Sequence, residues 1–460
     1  MMTDDPTDGF RDKDGYDLDS GYLKQVVKAV EAQDAQRIFK LFEPLHPADI
    51  ADILEQIGAD ARRALVHLYG TEFDGDILSE LDEGLRDEVV GYLRPDVLAG
   101  AVRDMDSDDV VDLLEDLDES QRGAILDALE EDDRDAARQA LSYPEYSAGR
   151  LMQREFVKVP QDWTVGQTID MMRSSTDLPD QFYHVFLVKP DDTPAGYVTL
   201  GRLLSSNRNT ALSSVTENSF RSFELDEEEG DVAYAFNQYH LISAPVVDTN
   251  GRLVGVITID DAMAVLDEEH EEDMLRMAGA GEGSLSDGVM ETTWQRLPWL
   301  GVNLVTAIIA SLVIAVFEAT IQTLVALAVL MPIVASMGGN AGTQSMAVAV
   351  RGLATRDLTG ANVWRVIRRE TLVGMFNGMI FAVVMGAVGY VWFGSLMLAA
   401  VIAAAMVINL VVAGLSGIGL PALLDRLGVD PALASGTFVT TVTDVVGFAA
   451  FLGLATMLLL

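Results

Sequence analysis

Between Trp299 and Leu460 the sequence falls into five apolar runs: Trp299–Phe317, Ile321–Met337, Thr371–Phe393, Leu396–Leu424 and Leu433–Leu460. Each meets or approaches the ~20 residues an α-helix needs to cross a bilayer. In hydrocarbon every backbone N–H and C=O must find its partner inside the segment. The runs therefore predict a polytopic all-α membrane domain of five transmembrane helices, residues 297–460. Trp294, Trp299, Trp364 and Trp392 stand near run ends, where indoles anchor at the interface. Arg296 precedes the first run, five of the six later bases lie between Arg351 and Arg369, and Arg426 follows the fourth. Positive charge stays on the cytoplasmic side. All three segments agree on one orientation in the cell membrane, with the preceding residues cytoplasmic and the C-terminus extracellular.

One carboxylate, Asp444, lies deep in the last run behind Thr437, Thr440, Thr441 and Thr443. An ionised group at bilayer depth costs roughly 3 kcal/mol or more, so it should face a polar interior. A cation in transit is the partner that would use it; a helix-to-helix hydrogen bond is the structural alternative. Asn340, Asn409, Glu318 and the backbone at Ala432 are further candidates to line such a path. The glycines and serines between Ser336 and Gln344 are expected to interrupt the second run, although small residues also serve close helix packing.

The residues before Trp299 have the opposite character. From Trp299 onward six acids balance six bases, so the net charge of −40 resides entirely in the earlier part. Such a surface repels nucleic acid and attracts cations. With only six lysines, it also fits adaptation of a whole proteome to high salt. There is no cysteine, which excludes disulfides and thiol chemistry. The start shows neither a basic nor an apolar signal region, and residues 1–20 are Asp-rich and expected to be disordered. No nucleophile, base and orienting group occur together, and no histidine lies beyond His270, so an enzyme is not expected.

Residues 21–143 show helical spacing twice over. Ile50, Ile53, Leu54 and Ile57 coincide with Val110, Leu113, Leu114 and Leu117 under a single shift of 60 positions, as do Arg62 and Arg122. Repeating helical hairpins predict a small α-superhelical domain. Asp108 and Asp112 lie one turn apart on one of these helices. Residues 144–207 and 208–266 then read as two matched β-α-β modules, Asp191-Asp192 and Asn250-Gly251 occupying equivalent hairpin turns. An acidic connecting helix follows in residues 267–296, with Glu269, Glu272 and Asp273 crowded on one face. Repulsion there costs stability unless a cation bridges the group. The glycines from Gly279 would end this helix in a hinge.

The tandem modules resemble a pair of cystathionine-β-synthase (CBS) domains, which often bind adenine nucleotides. The ribose-holding motif of that family would fall on Thr258 and Asp261; its counterpart at Thr199 ends in Arg202, so at most one ATP site is implied. The whole order of domains is similar to that of the MgtE family of magnesium channels. The motifs that carry the likeness are Ser147-Ala-Gly-Arg-Leu-Met152, Met337-Gly-Gly-Asn-Ala-Gly-Thr-Gln344, Arg351-Gly-Leu-Ala-Thr-Arg-Asp357 and Leu427-Gly-Val-Asp-Pro-Ala432. That resemblance implies a homodimer around one pore lined by the second and fifth spans, with Asp444 as pore carboxylate. It also implies cytosolic Mg²⁺ sites that hold the channel shut, falling on Asp108, Asp112, Glu228, Asp261, Glu269, Glu272 and Asp273. Gly230, His240 and Ala264 stand where the family can present carboxylates. Transport of Co²⁺, Mn²⁺ or Ca²⁺ instead, and a membrane-anchored metal or nucleotide sensor that does not conduct, are the competing readings.

Overall fold

The computed structural model describes residues 11, 18–117, 119–175, 178–179, 181–217, 220–280, 283 and 288–460. Most of the segment expected to be disordered, and most of the glycine hinge, lie outside the described residues. The chain divides into two compact units, the division falling between Glu268 and Glu269.

The first unit opens with ten helices among the described residues. They are α1 (Ser20–Glu31), α2 (Ala35–Phe42), α3 (Pro47–Gln56), α4 (Ala59–Tyr69), α5 (Asp76–Ser79), α6 (Glu83–Tyr92), α7 (Pro95–Asp104), α8 (Ser107–Asp116), α9 (Glu119–Ala128) and α10 (Glu131–Ala140). Proline at N1 starts α3 and α7, where its missing N–H costs nothing. The apolar positions read from the spacing face inward: Ile53, Leu54, Leu113 and Leu114 are each no more than 1% exposed.

One device recurs along the superhelix. The last carbonyls of a helix have no partner inside it, and here an arginine from the next helix supplies one. Arg62 Nε donates to Leu54 O at 2.8 Å and Nη2 to Ile57 O at 3.0 Å. Arg122 repeats both bonds 60 positions on, to Leu114 O and Leu117 O. Arg134 does the same to Leu126 O and Leu129 O. The guanidinium plane reaches two carbonyls at once and brings positive charge to the negative end of the helix dipole. The aligned arginines of the sequence repeat are thus the joints of the solenoid.

Helix α11 (Ala148–Leu151) leads into the two modules. The first holds β1 (Val157–Pro160), α12 (Val165–Ser174), β2 (His184–Val188), β3 (Pro194–Thr199) and α13 (Leu200–Ser205). The second holds β4 (Phe223–Glu224), α14 (Glu229–Tyr239), β5 (Ser243–Val247) and β6 (Leu253–Thr258), followed by the connecting helix α15 (Ile259–Ala278). Each sheet has the same plan: a parallel pair, β1 with β2 or β4 with β5, then an antiparallel hairpin. Asp192 (φ 62°) and Gly251 (φ 76°) take the left-handed conformation their tight turns need. His184 and Ser243, which begin equivalent strands 59 residues apart, are hydrogen-bonded to each other in the interior.

The second unit holds α16 (Val289–Val316), the short α17 (Glu318–Thr323), α18 (Ala326–Ala354), α19 (Val363–Phe393), α20 (Leu396–Arg426) and α21 (Pro431–Leu459). Five of these are long and apolar enough to cross a membrane. The expected break after Met337 does not occur, because α18 runs unbroken through Gly338–Gln344. Its glycines make room rather than a kink. A Cβ on Gly338 would lie 2.1 Å from Asn409 Nδ2, and one on Gly342 2.6 Å from Val439 Cγ1. Gly374 and Gly378 likewise let α19 close on the backbone of α20 at Leu410 and Val407.

Replacing Arg62 by Ala should strip the α3 carbonyls of their partners at a cost of about 1–3 kcal/mol. Hydrogen–deuterium exchange of the full-length protein should show faster exchange at the end of α3 and in α4. Lys at this position should restore little of the protection, because it lacks the planar fork.

Candidate cation sites and the membrane helices

In the first unit, folding brings together carboxylates that are distant in sequence. Asp108 sits in the first turn of α8 and is 7% exposed; Asp261 sits in the first turn of α15. Their side chains are within hydrogen-bonding reach of each other. Thr258 holds Asp261 from the other side, through its hydroxyl and through its backbone N–H at 3.3 Å. Two buried carboxylates in contact cannot both keep their charge without a proton or a cation between them.

The surroundings sharpen the conflict. Burial, with Asp261 next, raises the pKa of Asp108 well above the carboxylate range. Asp109 is pushed up to about 7 by burial and then by Asp261 and Asp106. Asp261 is pushed up to about 6, again chiefly by burial. Spacing alone does not single out Asp109, which shares its repeat position with Asp49. That position supplies a capping-box carboxylate in α3, where Asp49 accepts from the His46 N–H at 3.1 Å.

Other expected ligands go elsewhere. Asp112 is exposed and bonded to Arg86 at 2.6 Å, an arginine that also reaches Leu81 O. Glu228 is exposed at the start of α14, where its backbone bridges to Ser147. Gly230 lies inside α14, His240 closes that helix in a left-handed conformation (φ 54°), and Ala264 is exposed on α15. Among the described residues no group of three or more His, Asp and Glu side chains is arranged to hold a metal ion. The Asp108–Asp261 pair still fits Mg²⁺, which gives up its waters reluctantly and is commonly held through one or two carboxylates.

In the second unit the end of α15 packs on the start of α21. Met277 joins an apolar cluster of Met346, Val350, Ala432 and Val439. Arg276 Nη2 lies 2.8 Å from Glu272 and its Nη1 3.4 Å from Asp430, whose other oxygen caps α21 by accepting from the Ala432 N–H at 2.7 Å. Asp273, beside them, has its pKa raised by burial and then by Asp430. Glu269 is exposed on the same helix.

Thr437, Thr440 and Asp444 follow at spacings of three and four, so they share one face of α21. Thr437 donates to Asn303 of α16 at 2.9 Å. A polar cavity of about 230 Å³ lies on this face, lined by Arg276, Met277, Asn303, Thr343, Thr437 and Thr440 among others. Asp444 is half-buried, Asn340 is exposed on α18, and Glu318 is exposed at the start of α17. Asn409 is enclosed at 0% exposure, donating to Val334 O at 2.7 Å, and Ala432 is 1% exposed in the Met277 cluster. Within this unit those two residues hold helices together rather than face open space.

This arrangement matches known sequences across most of the chain. A family model described as a divalent cation transporter matches residues 331–454, one described as the MgtE intracellular N domain matches 45–146, and CBS models match 148–208 and 225–268. The magnesium transporter MgtE of Bacillus subtilis (strain 168) is 31% identical over 83% of this chain and 85% of its own length. The chain belongs to the MgtE family. A second MgtE, from Enterococcus faecalis, is 32% identical over 68% of this chain and 70% of its own length. A solved structure of the cytosolic domain of the Mg²⁺ channel MgtE in complex with ATP aligns over 53% of this chain at a TM-score of 0.49 and 24% identity. MgtE proteins are transporters and not enzymes, and this member is a multi-pass membrane protein with a cytosolic N-terminal domain.

The raised pKa values fix the sign of a pH effect. Carboxyls that hold protons more tightly when folded stabilise the protein below their unfolded values near 4. That contribution is lost as pH rises through the folded values, about 6 for Asp261 and about 7 for Asp109. In chelator, the thermal transition of the full-length protein in detergent should therefore fall by roughly 5 °C between pH 5 and pH 8. Mg²⁺ should restore it at pH 8 far more than at pH 5. The Asp109→Asn/Asp261→Asn double variant should flatten both responses, which separates this site from the general acid excess.

Proposed function

We propose that this MgtE-family member is a Mg²⁺ channel of the cell membrane that works as a homodimer and is held shut by cytosolic Mg²⁺. The observation that carries the conducting role is Asp444. It is the one acid within the apolar fifth span, it shares a face with Thr437 and Thr440, and that face borders a polar cavity. One Asp444 from each subunit would hold the hydration shell of a passing Mg²⁺, an ion too strongly hydrated to be stripped at low cost. Entry would be driven by an inside-negative potential, about 2.3 kcal/mol per charge per 100 mV and twice that for a divalent ion. Five crossings from a cytosolic N-terminal part leave the C-terminus outside.

Regulation in this reading follows from the crowded carboxylates. Asp108 and Asp261 would hold a cytosolic Mg²⁺, with Asp109 adding charge beside them. Asp112 and Glu228 could join only by leaving the partners described above. Glu269, Glu272 and Asp273 would supply further charge on the connecting helix. Bound Mg²⁺ removes the repulsion and favours the state in which the end of that helix sits on the fifth span; its loss favours release. ATP binding is assigned to the ribose-type pair Thr258 and Asp261. Because Asp261 also meets Asp108, nucleotide and cation compete for the same carboxylate in this scheme.

The description of the family model as a divalent cation transporter supports a broader reading in which Co²⁺ or Mn²⁺ also passes. Flux into proteoliposomes separates the alternatives. The wild type should take up Mg²⁺, more slowly as internal Mg²⁺ is raised, and Asp444→Ala should abolish uptake while leaving a folded protein. Uptake unchanged by Asp444→Ala would end the pore assignment. Equal competition by Co²⁺ or Mn²⁺ would replace the Mg²⁺ reading with the broader one. A wild type that conducts no divalent ion at any internal Mg²⁺ would point to the sensor.

A further inference from the structure

Among the acids where the connecting helix meets the fifth span stands a permanent cation, Arg276. Arg276 reaches Glu272 one turn earlier on its own helix and Asp430 at the N-cap of α21, 154 residues away. Met277 is the next residue, and it sits in the apolar cluster with Met346, Ala432 and Val439. A backbone oxygen of Met277 also comes close to Gly436, where an added Cβ would lie 3.2 Å from it. The guanidinium thus ties together the two elements whose contact covers the cytoplasmic end of the Asp444 face. It is also part of the wall of the polar cavity on that face.

We propose that Arg276 is a tethered cation that latches the connecting helix to the start of the fifth span and so lowers the channel's dependence on Mg²⁺ for closure. This rests on the channel reading above. Glu272, Asp273 and Asp430 bring three negative charges to the junction, and Arg276 cancels one of them without any ion from solution. Guanidinium stays charged at every physiological pH, so this contribution does not titrate away. The remaining charge leaves the junction responsive to Mg²⁺, but from a closed state that is already favoured. Where the domains meet in the first unit, no salt bridge to a basic side chain is seen for Asp108 or Asp261 among the described residues.

The test is Mg²⁺ flux through full-length protein in proteoliposomes with internal Mg²⁺ varied. The ion pairs are about a third exposed, so Arg276→Gln should raise flux at the lowest internal Mg²⁺ about two- to fivefold. Saturating internal Mg²⁺ should still close the variant, widening the ratio between the two extremes. Asp430→Asn keeps the N-cap, since Asn caps as well as Asp, and should give a smaller rise, because it removes the ion pair between the helices but also the charge that repels Asp273. The double variant Arg276→Gln/Asp430→Asn should rise no further than Arg276→Gln alone. Arg276→Lys, which keeps the charge, should stay near wild type. Flux from Arg276→Gln that follows the wild-type curve at every internal Mg²⁺ would overturn the latch, as would additive effects in the double variant. Either result leaves the channel reading standing, since the wild type would still conduct; a silent wild type removes both.

Discussion

The contact between Asp108 and Asp261 sets the terms for the cytosolic unit, because two carboxylates pressed together away from water need a proton or a cation between them. The shortage is one of allocation. Arg62, Arg122 and Arg134 are committed to the open carbonyls of neighbouring helices, and Arg86 divides itself between Leu81 O and Asp112. Arg150 is likewise spent on the carbonyls of Leu141 and Tyr143 and on Glu115. These bonds tie each helix of the superhelix to the next. The same commitment leaves the acids at the domain junction to protons or to ions from solution. A net charge of −40 keeps cations concentrated around such a site.

The membrane unit meets the opposite constraint. Hydrocarbon punishes unpaired polar groups, so polar residues inside the spans are few. Asn409 is enclosed between Gly338 of α18 and Gly447 of α21; its amide N–H₂ donates to Val334 O, and its Oδ1 is left without a partner among the described residues. Glycines at 338, 342 and 447 draw those helices close enough for a short side chain to span them. A rigid seam along α18 and α20 gives α21 a fixed orientation, and that orientation decides which way Asp444 points.

Much of this was legible as periodicity. The 60-position shift that pairs Ile53 with Leu113 relates two observed helical hairpins, α3–α4 and α8–α9, and the alignment of Arg62 with Arg122 marks a repeated structural joint. The two β-α-β modules were readable because each hairpin turn carries its own chemistry, Asp191-Asp192 in one copy and Asn250-Gly251 in the other. Two things were not legible. Glycine at 338 and 339 reads as a breaker from composition, yet glycine in a helix interface is selected for closeness, and only the neighbouring helix reveals which applies. In the same way, spacing along α8 gives Asp108, Asp109 and Asp112 equal standing as ligands. Tertiary neighbours separate them: Arg86 takes Asp112, and Asp261 finds Asp108 and Asp109.

The two junctions on the connecting helix therefore differ in kind. At its start, Asp261 faces Asp108 and Asp109, and that crowding is relieved by a proton or a cation. Near its end, Arg276 already pairs with Glu272 and Asp430, so the balance is partly built into the chain. In the proposed channel the first cluster would be set by the ions around it, whereas the second is partly neutralised by the chain itself. Asp444 would then need no change for the two clusters to differ in their response to cation.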